Sequence, residues 1–88
     1  MTDHPLTEPE RKLLHCLLLF YKEIGPAATP GLKGLDEEAG IERHELDAAV
    51  RGLRSRGLIE YWELQPAVRL TGPGLVLARR LDGGGGAG

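Results

Sequence analysis

The chain has 88 residues, 41% of them hydrophobic and 27% charged, which bounds it to one small globular domain with a thin core. Eleven Lys and Arg against thirteen Asp and Glu leave a net charge of -2, so the chain lacks the basic excess with which a dedicated nucleic-acid binder neutralises phosphate, while a local basic face stays open. The lone Cys16 excludes an internal disulfide, and no apolar run reaches the roughly 18 residues of a membrane span. No basic segment precedes an apolar one at the start, so no secretory leader is expected and the expected setting is cytoplasmic.

Residues 1–6 read as a flexible leader. A first helix opens at Thr7, whose hydroxyl can cap it while Glu10 closes a capping box, with Pro9 in the tolerant first turn. Leu13, Leu14, Leu17, Leu18, Tyr21 and Ile24 recur at three- and four-residue spacing and make one broad apolar stripe. Gly25-Pro26 ends it. Ala27 to Thr29 is a connector with room for a minimal strand. A second helix is expected from about Pro30 to Ala39, with Leu32, Leu35 and Ala39 inward. Gly31 and Gly34 weaken it by about 1 kcal/mol each relative to alanine, so it should be short or irregular.

Gly40-Ile41 forms a turn, and a third helix runs from about Arg43 to Arg56 with Leu46, Ala49, Val50 and Leu53 inward. Gly57 stops it. Leu58 to Glu63 and Ala67 to Thr71 are two strands around the tight loop Leu64-Gln65-Pro66. Thr71 can cap a last helix from Pro73 to Leu81. Residues 82–88 are glycine-rich, cannot bury apolar surface, and are expected to be disordered. The expected class is mainly α with a small β-hairpin (α+β): a three-helix core, a two-stranded wing and a C-terminal helix.

The order of these pieces resembles the winged helix-turn-helix transcription regulators of bacteria and archaea. The resemblance rests on Leu32-Lys33-Gly34-Leu35, on Gly40-Ile41, on the stripe Leu46/Val50/Leu53, on Gly57-Leu58-Ile59, and on Leu70-Thr71-Gly72-Pro73-Gly74. It covers about Leu13 to Leu81 without forced gaps and places a winged helix-turn-helix domain over residues 7–81. It implies a sequence-specific DNA-binding protein, a transcription regulator, that lays the helix 43–56 in the major groove of double-stranded DNA as a homodimer. Helix one and the last helix are the candidate dimer surfaces.

Two features depart from that pattern. The start of the third helix carries Glu42, Glu45 and Asp47 against Arg43, and the second helix adds Asp36, Glu37 and Glu38. The wing tip, Glu63-Leu64-Gln65-Pro66, has no basic residue to meet a minor groove. Helical geometry nevertheless sets His44, Ala48, Arg51 and Ser55 opposite the buried stripe, and none of these is acidic. In the DNA reading His44, Ala48 and Arg51 face the bases, and Arg43, Arg54 and Arg69 are candidate phosphate contacts. Arg51, Arg54 and Arg56 equally suit a solvated helix end that complements the helix dipole, and His44 equally suits a plain surface position.

A second reading is a winged helix that binds another protein and no DNA. The acidic flanks, the uncharged wing and an outward Trp62 fit it. Strand alternation turns Ile59 and Tyr61 inward and Glu60 and Trp62 outward, although Trp62 can also fold over the edge of the core. Phe20 and Tyr21 lie on neighbouring faces of helix one, one of which can be left for another chain. The two readings separate on surface charge: a continuous positive face on helix three and the wing favours DNA, a neutral or acidic one with an open Trp62 favours protein.

No catalytic constellation stands out, and no enzyme activity is expected. The one serine, Ser55, lies on a helix without a triad setting, and the glycine-rich tail lacks the lysine and following helix of a phosphate loop. His15-Cys16 point about 100° apart on their helix with no further ligand at useful spacing, so neither a metal nor another cofactor is expected.

Overall fold

A computed structural model describes residues 6–25 and 29–87, with side chains described as far as Asp82. The order is α1 (Glu8–Ile24), α2 (Leu35–Ala39), α3 (Arg43–Ser55), β1 (Ile59–Trp62), β2 (Ala67–Leu70) and α4 (Gly72–Ala87). This is the mainly helical chain with one antiparallel hairpin that the apolar periodicities predict. Residues 1–5, the Ala27-Ala28 part of the connector, and Pro26 of the expected helix stop lie outside the described residues.

Helix α1 starts as its sequence dictates. The Thr7 hydroxyl accepts from the Glu10 backbone N–H at 3.3 Å, and the Thr7 N–H donates to the Glu10 carboxylate at 2.9 Å. Two end groups that the helix itself cannot pair are thereby satisfied. Leu6, the last residue of the expected leader, is half-buried and packs on the core. Helix α1 is the central rod, touching α2, α3, α4 and β2. That position explains its wide stripe: Leu13, Leu14, Cys16, Leu17 and Leu18 are all buried, because neighbours surround the helix on several sides.

Helix α2 is shorter than the sequence suggests. The expected start at Pro30 gives way to Leu35. The reason lies in the hairpin, whose β2 edge takes up the preceding residues: Val68 N–H donates to the Pro30 carbonyl at 3.1 Å, and Leu32 N–H donates to the Pro66 carbonyl at 3.0 Å. Gly31 bridges Ala67 antiparallel. This isolated bridge falls within the expected second helix and not in the connector, where Thr29, the one described residue, belongs to no strand. Backbone groups that pair with a strand edge are not free to begin a helix.

Helices α2 and α3 end by the same device. After α2, Gly40 N–H donates to Glu37 and Ile41 N–H to Asp36; after α3, Gly57 N–H donates to Arg54 and Leu58 N–H to Leu53. Each is a Schellman ending, which needs a left-handed residue, and Gly40 and Gly57 both sit at φ 74°. The first ending sets the turn from α2 into α3; the second sends the chain from α3 into β1 with Leu53 and Leu58 both buried.

The hairpin pairs Ile59 with Leu70, Glu60 with Arg69, Tyr61 with Val68 and Trp62 with Ala67. Ile59 and Val68 are buried, and Tyr61 and Leu70 pack on the core from the same face. Thr71 then joins three elements. Its N–H donates to the Leu58 carbonyl at 3.1 Å, its hydroxyl donates to the Gly57 carbonyl at 2.7 Å, and the same oxygen accepts from the Gly74 N–H at 3.1 Å. Thr71 thus caps α4 and locks its start onto the end of α3. The helix continues past the expected end at Leu81 to Ala87, into the segment where composition predicts no order. Asp82 holds it against α1, its carboxylate 3.2 Å from Lys22 Nζ and 3.4 Å from His15 Nδ1.

The buried residues form one cluster, Leu13, Leu14, Leu17, Leu18, Leu35, Leu46, Leu53 and Val68 among them, and every described element contributes to it. Among the described residues no helix is long and apolar enough to cross a membrane.

Candidate functional site

Helix α3 carries Arg43, His44, Ala48, Arg51 and Arg54 of the predicted site residues, and the hairpin carries Arg69 and Trp62. The helix buries Leu46, Ala49, Val50 and Leu53. Its rotation therefore puts His44, Ala48, Arg51 and Ser55 in the row facing away, and all four are exposed. Arg43, in the first turn, and Arg54, in the last, are exposed beside that row. Among the described residues Arg51 has no hydrogen-bond or ion-pair partner.

The acidic start of α3 is partly neutralised by its own helix. Glu45 turns back to accept the Glu42 N–H at 2.9 Å, so its carboxylate sits over the helix N-terminus, where the partial positive charge of the dipole stabilises it. Asp47 remains exposed on the flank. Charge along the helix is consequently graded, with carboxylates around its first turn and Arg51, Arg54 and Arg56 toward its last.

The two arginines nearest the hairpin have different surroundings. Arg54 sets its guanidinium carbon 5.5 Å from the centre of the Tyr61 ring. Leu32, Asp47, Val50, Arg51, Arg54 and Tyr61 line a shallow cleft there, between α3 and the inner face of β1. Arg69 is paired. Its Nη2 lies 2.6 Å from Glu60 Oε1, and its guanidinium carbon lies 5.5 Å from the Trp62 ring centre. Antiparallel register places Glu60 opposite Arg69, with Trp62 on the same outer face, so this pairing follows from strand geometry.

Trp62 does point outward, as alternation predicts, and is 42% exposed. Leu64 at the turn is 99% exposed. With Thr29, Gln65 and Ala67 they line an apolar depression at the tip of the hairpin. Residues 63–66 of the turn carry Glu63 and no cation, while the Arg69 guanidinium lies over the Trp62 ring.

Phe20 and Tyr21 are each half-buried. Phe20 packs on the core, and the Tyr21 ring lies under the Arg79 guanidinium at 5.7 Å. The apolar side chains that α1 leaves open are instead Leu19, 47% exposed, and Ile24, 64% exposed. Sequence periodicity counts Ile24 with the stripe because it extends the spacing, but the residue lies at the helix end, beyond the reach of the packing partners.

Sequence reasoning also passed over Tyr61 as a partner for Arg54 and Asp82 as the clasp between α4 and α1. Neither carries a local signal, since each contact joins residues that only the tertiary fold brings together. His15 and Cys16 diverge as helix geometry requires: His15 meets Asp82 at the surface, and Cys16 is buried. Burial pushes the Cys16 thiol up to about 11, and the nearby Glu38 carboxylate adds to the rise. Among the described residues no group of three His, Cys, Asp or Glu comes close enough to hold a metal ion.

Compared with protein-family models, curated proteins and solved structures, the chain matches none.

Proposed function

We propose that this chain is a winged helix-turn-helix protein that binds double-stranded DNA, with α2 and α3 as the helix-turn-helix and the β1–β2 hairpin as the wing, and that it acts as a transcription regulator. One observation carries the reading. The outward row of α3, His44, Ala48, Arg51 and Ser55, is wholly exposed and free of acid, and Arg51 at its centre is uncommitted. A guanidinium presented this way matches the paired acceptors of guanine in the major groove, and the small Ala48 permits close approach. Arg43 and Arg54 flank the row where phosphates would run.

Arg69 is a weaker candidate for phosphate, because Glu60 already occupies its guanidinium. The protein would act as a homodimer, since two-fold pairing presents two copies of α3 to two half-sites. Leu19 and Ile24 on α1 and Val76 and Leu81 on α4, all exposed, are apolar side chains those helices offer to a mate.

The test is fluorescence anisotropy of labelled duplexes at low salt. Binding is expected in the micromolar range or tighter, and Arg51→Ala should weaken it by at least about fivefold. Absence of binding to any duplex, or indifference to Arg51→Ala, would overturn the proposal.

A second reading, a winged helix that binds a protein, draws on the hairpin tip. Trp62 and Leu64 are open, with Glu63 at the turn and Arg69, already paired with Glu60, over the Trp62 ring, which suits an apolar anchor better than a phosphate. Trp62→Ala and Leu64→Ala separate the two. They leave duplex affinity unchanged if the tip serves a protein, and they lower it if the tip enters the minor groove.

A further inference from the structure

The cleft between α3 and β1 has a specific use within the DNA-binding reading, on which this inference rests. We infer that Tyr61 is a positioning residue that holds the Arg54 guanidinium in place as the anchor for a phosphate group entering the cleft.

Three observations meet there. First, the Arg54 guanidinium carbon lies 5.5 Å from the Tyr61 ring centre, inside the distance at which the negative face of an aromatic ring attracts a cation. Second, Tyr61 is half-buried and packs on the core from β1, opposite Val68, so the ring is itself fixed by the fold. Third, the cleft has an apolar floor in Leu32 and Val50, with Arg51 and Arg54 along one wall and Asp47 as the single carboxylate. Two guanidinium groups outweigh that carboxylate.

An arginine side chain is costly to immobilise, because several rotatable bonds must be frozen when it binds. A ring that already holds the guanidinium lowers that cost before the anion arrives. The contact with the ring uses the charge of the guanidinium and none of its N–H donors, which stay open to oxygen acceptors. The cation–π contact and the phosphate contact therefore use different parts of one group and do not compete. The neighbouring Arg51 has no such support and is left to search a base edge.

The same chemistry would accept a duplex phosphodiester or a free phosphate, and the experiment separates them. Duplex binding by anisotropy, over a series of salt concentrations, is measured for the intact chain and for Arg54→Ala, Tyr61→Leu, Tyr61→Phe and the pair Arg54→Ala/Tyr61→Leu. In parallel, inorganic phosphate is titrated while the Arg54 side-chain NMR signal is followed in the intact chain and in Tyr61→Leu.

Arg54→Ala should weaken duplex binding roughly tenfold and lower the salt slope by about one. Tyr61→Leu should weaken it by roughly threefold with the slope unchanged, since the charge remains. Tyr61→Phe, which keeps the ring, should bind like the intact chain. On the Arg54→Ala background Tyr61→Leu should cost nothing more, a result that general loosening of the fold would not produce. If duplex binds and Tyr61→Leu matches the intact chain, the positioning role is wrong and the DNA reading stands. If no duplex binds but phosphate shifts the Arg54 signal less in Tyr61→Leu, the cleft stands and the DNA reading falls. If neither ligand binds, both are overturned.

Discussion

The Glu10 carboxylate, held at 2.9 Å by the Thr7 N–H, occupies the space where a side chain on Gly52 would stand. The carboxylate thus lies where the start of α1 meets the C-terminal part of α3. Glycine inside a helix ordinarily costs about 1 kcal/mol relative to alanine. Here the missing side chain makes room for the capping carboxylate, and the two residues determine each other.

The coupling is measurable by a double-mutant cycle. Gly52→Ala alone should change stability little, because the gain in helix propensity is offset when Glu10 is displaced from its cap. On a Glu10→Ala background the same substitution should stabilise by about 1 kcal/mol. Equal effects in both backgrounds, read from urea unfolding, would show that the two positions are independent.

Gly74 gives the contrasting case. A side chain there would meet the Leu58 backbone carbonyl, which cannot swing away as a carboxylate can. Gly74→Ala should therefore cost roughly 2 kcal/mol or more. Thr71→Ala, which removes the hydroxyl that donates to Gly57 and accepts from Gly74, should cost about 1–2 kcal/mol. Thermal unfolding of the two variants checks both values, and a neutral Gly74→Ala would mean that α4 does not start against Leu58.

Cys16 makes stability fall at alkaline pH. The folded thiol stays protonated up to about 11, whereas the unfolded thiol ionises near 9.0. Between those values the unfolded chain binds fewer protons than the folded one, so stability decreases as pH rises. The loss should approach roughly 2–3 kcal/mol across the window. Its signature is the stability difference between the intact chain and Cys16→Ala, which should shrink from about pH 8 to about pH 11. A difference independent of pH would contradict the raised value. The buried, protonated thiol should also resist alkylation in the folded chain at neutral pH.

The Glu60–Arg69 pair predicts a small effect where a basic residue on a hairpin invites a large one. Both side chains are substantially exposed, so Arg69→Ala should cost less than about 1 kcal/mol in stability. Its effect on duplex affinity should be smaller than that of Arg51→Ala under the same salt conditions. Because Arg69 lies over the Trp62 ring, the substitution should change Trp62 fluorescence even where affinity is unchanged. Equal losses of duplex affinity for the two variants would mean that Glu60 releases Arg69 on binding.

The helices α1 and α3, the two strands and the outward row of α3 were legible because each depends on local periodicity. Leu46, Val50 and Leu53 at helical spacing oblige His44, Ala48 and Arg51 to face the other way, whatever the helix packs against. Alternation in Ile59-Glu60-Tyr61-Trp62 likewise turns the tryptophan outward in any register that buries Ile59. The shortness of α2 was legible from Gly31 and Gly34, but its start at Leu35 was not, because Pro30 to Leu32 read equally well as helix until β2 is there to pair with them. The commitment of Arg69 was not legible either, since a lone arginine in a strand shows its partner only once the register is known.

Local order in this protein came from the chain alone: the capping threonine, the spacing of leucines, and the two glycines that end α2 and α3 act over a few residues and need no distant neighbour. The tertiary structure decided which side chains remain available, because availability depends on what lies opposite. Packing hides Leu18 and leaves Leu19 open, pairs Arg69 with Glu60, and rests Arg54 on Tyr61 while Arg51 stays unclaimed. Periodicity specifies a direction in space, and only a folded neighbour specifies whether that direction is occupied.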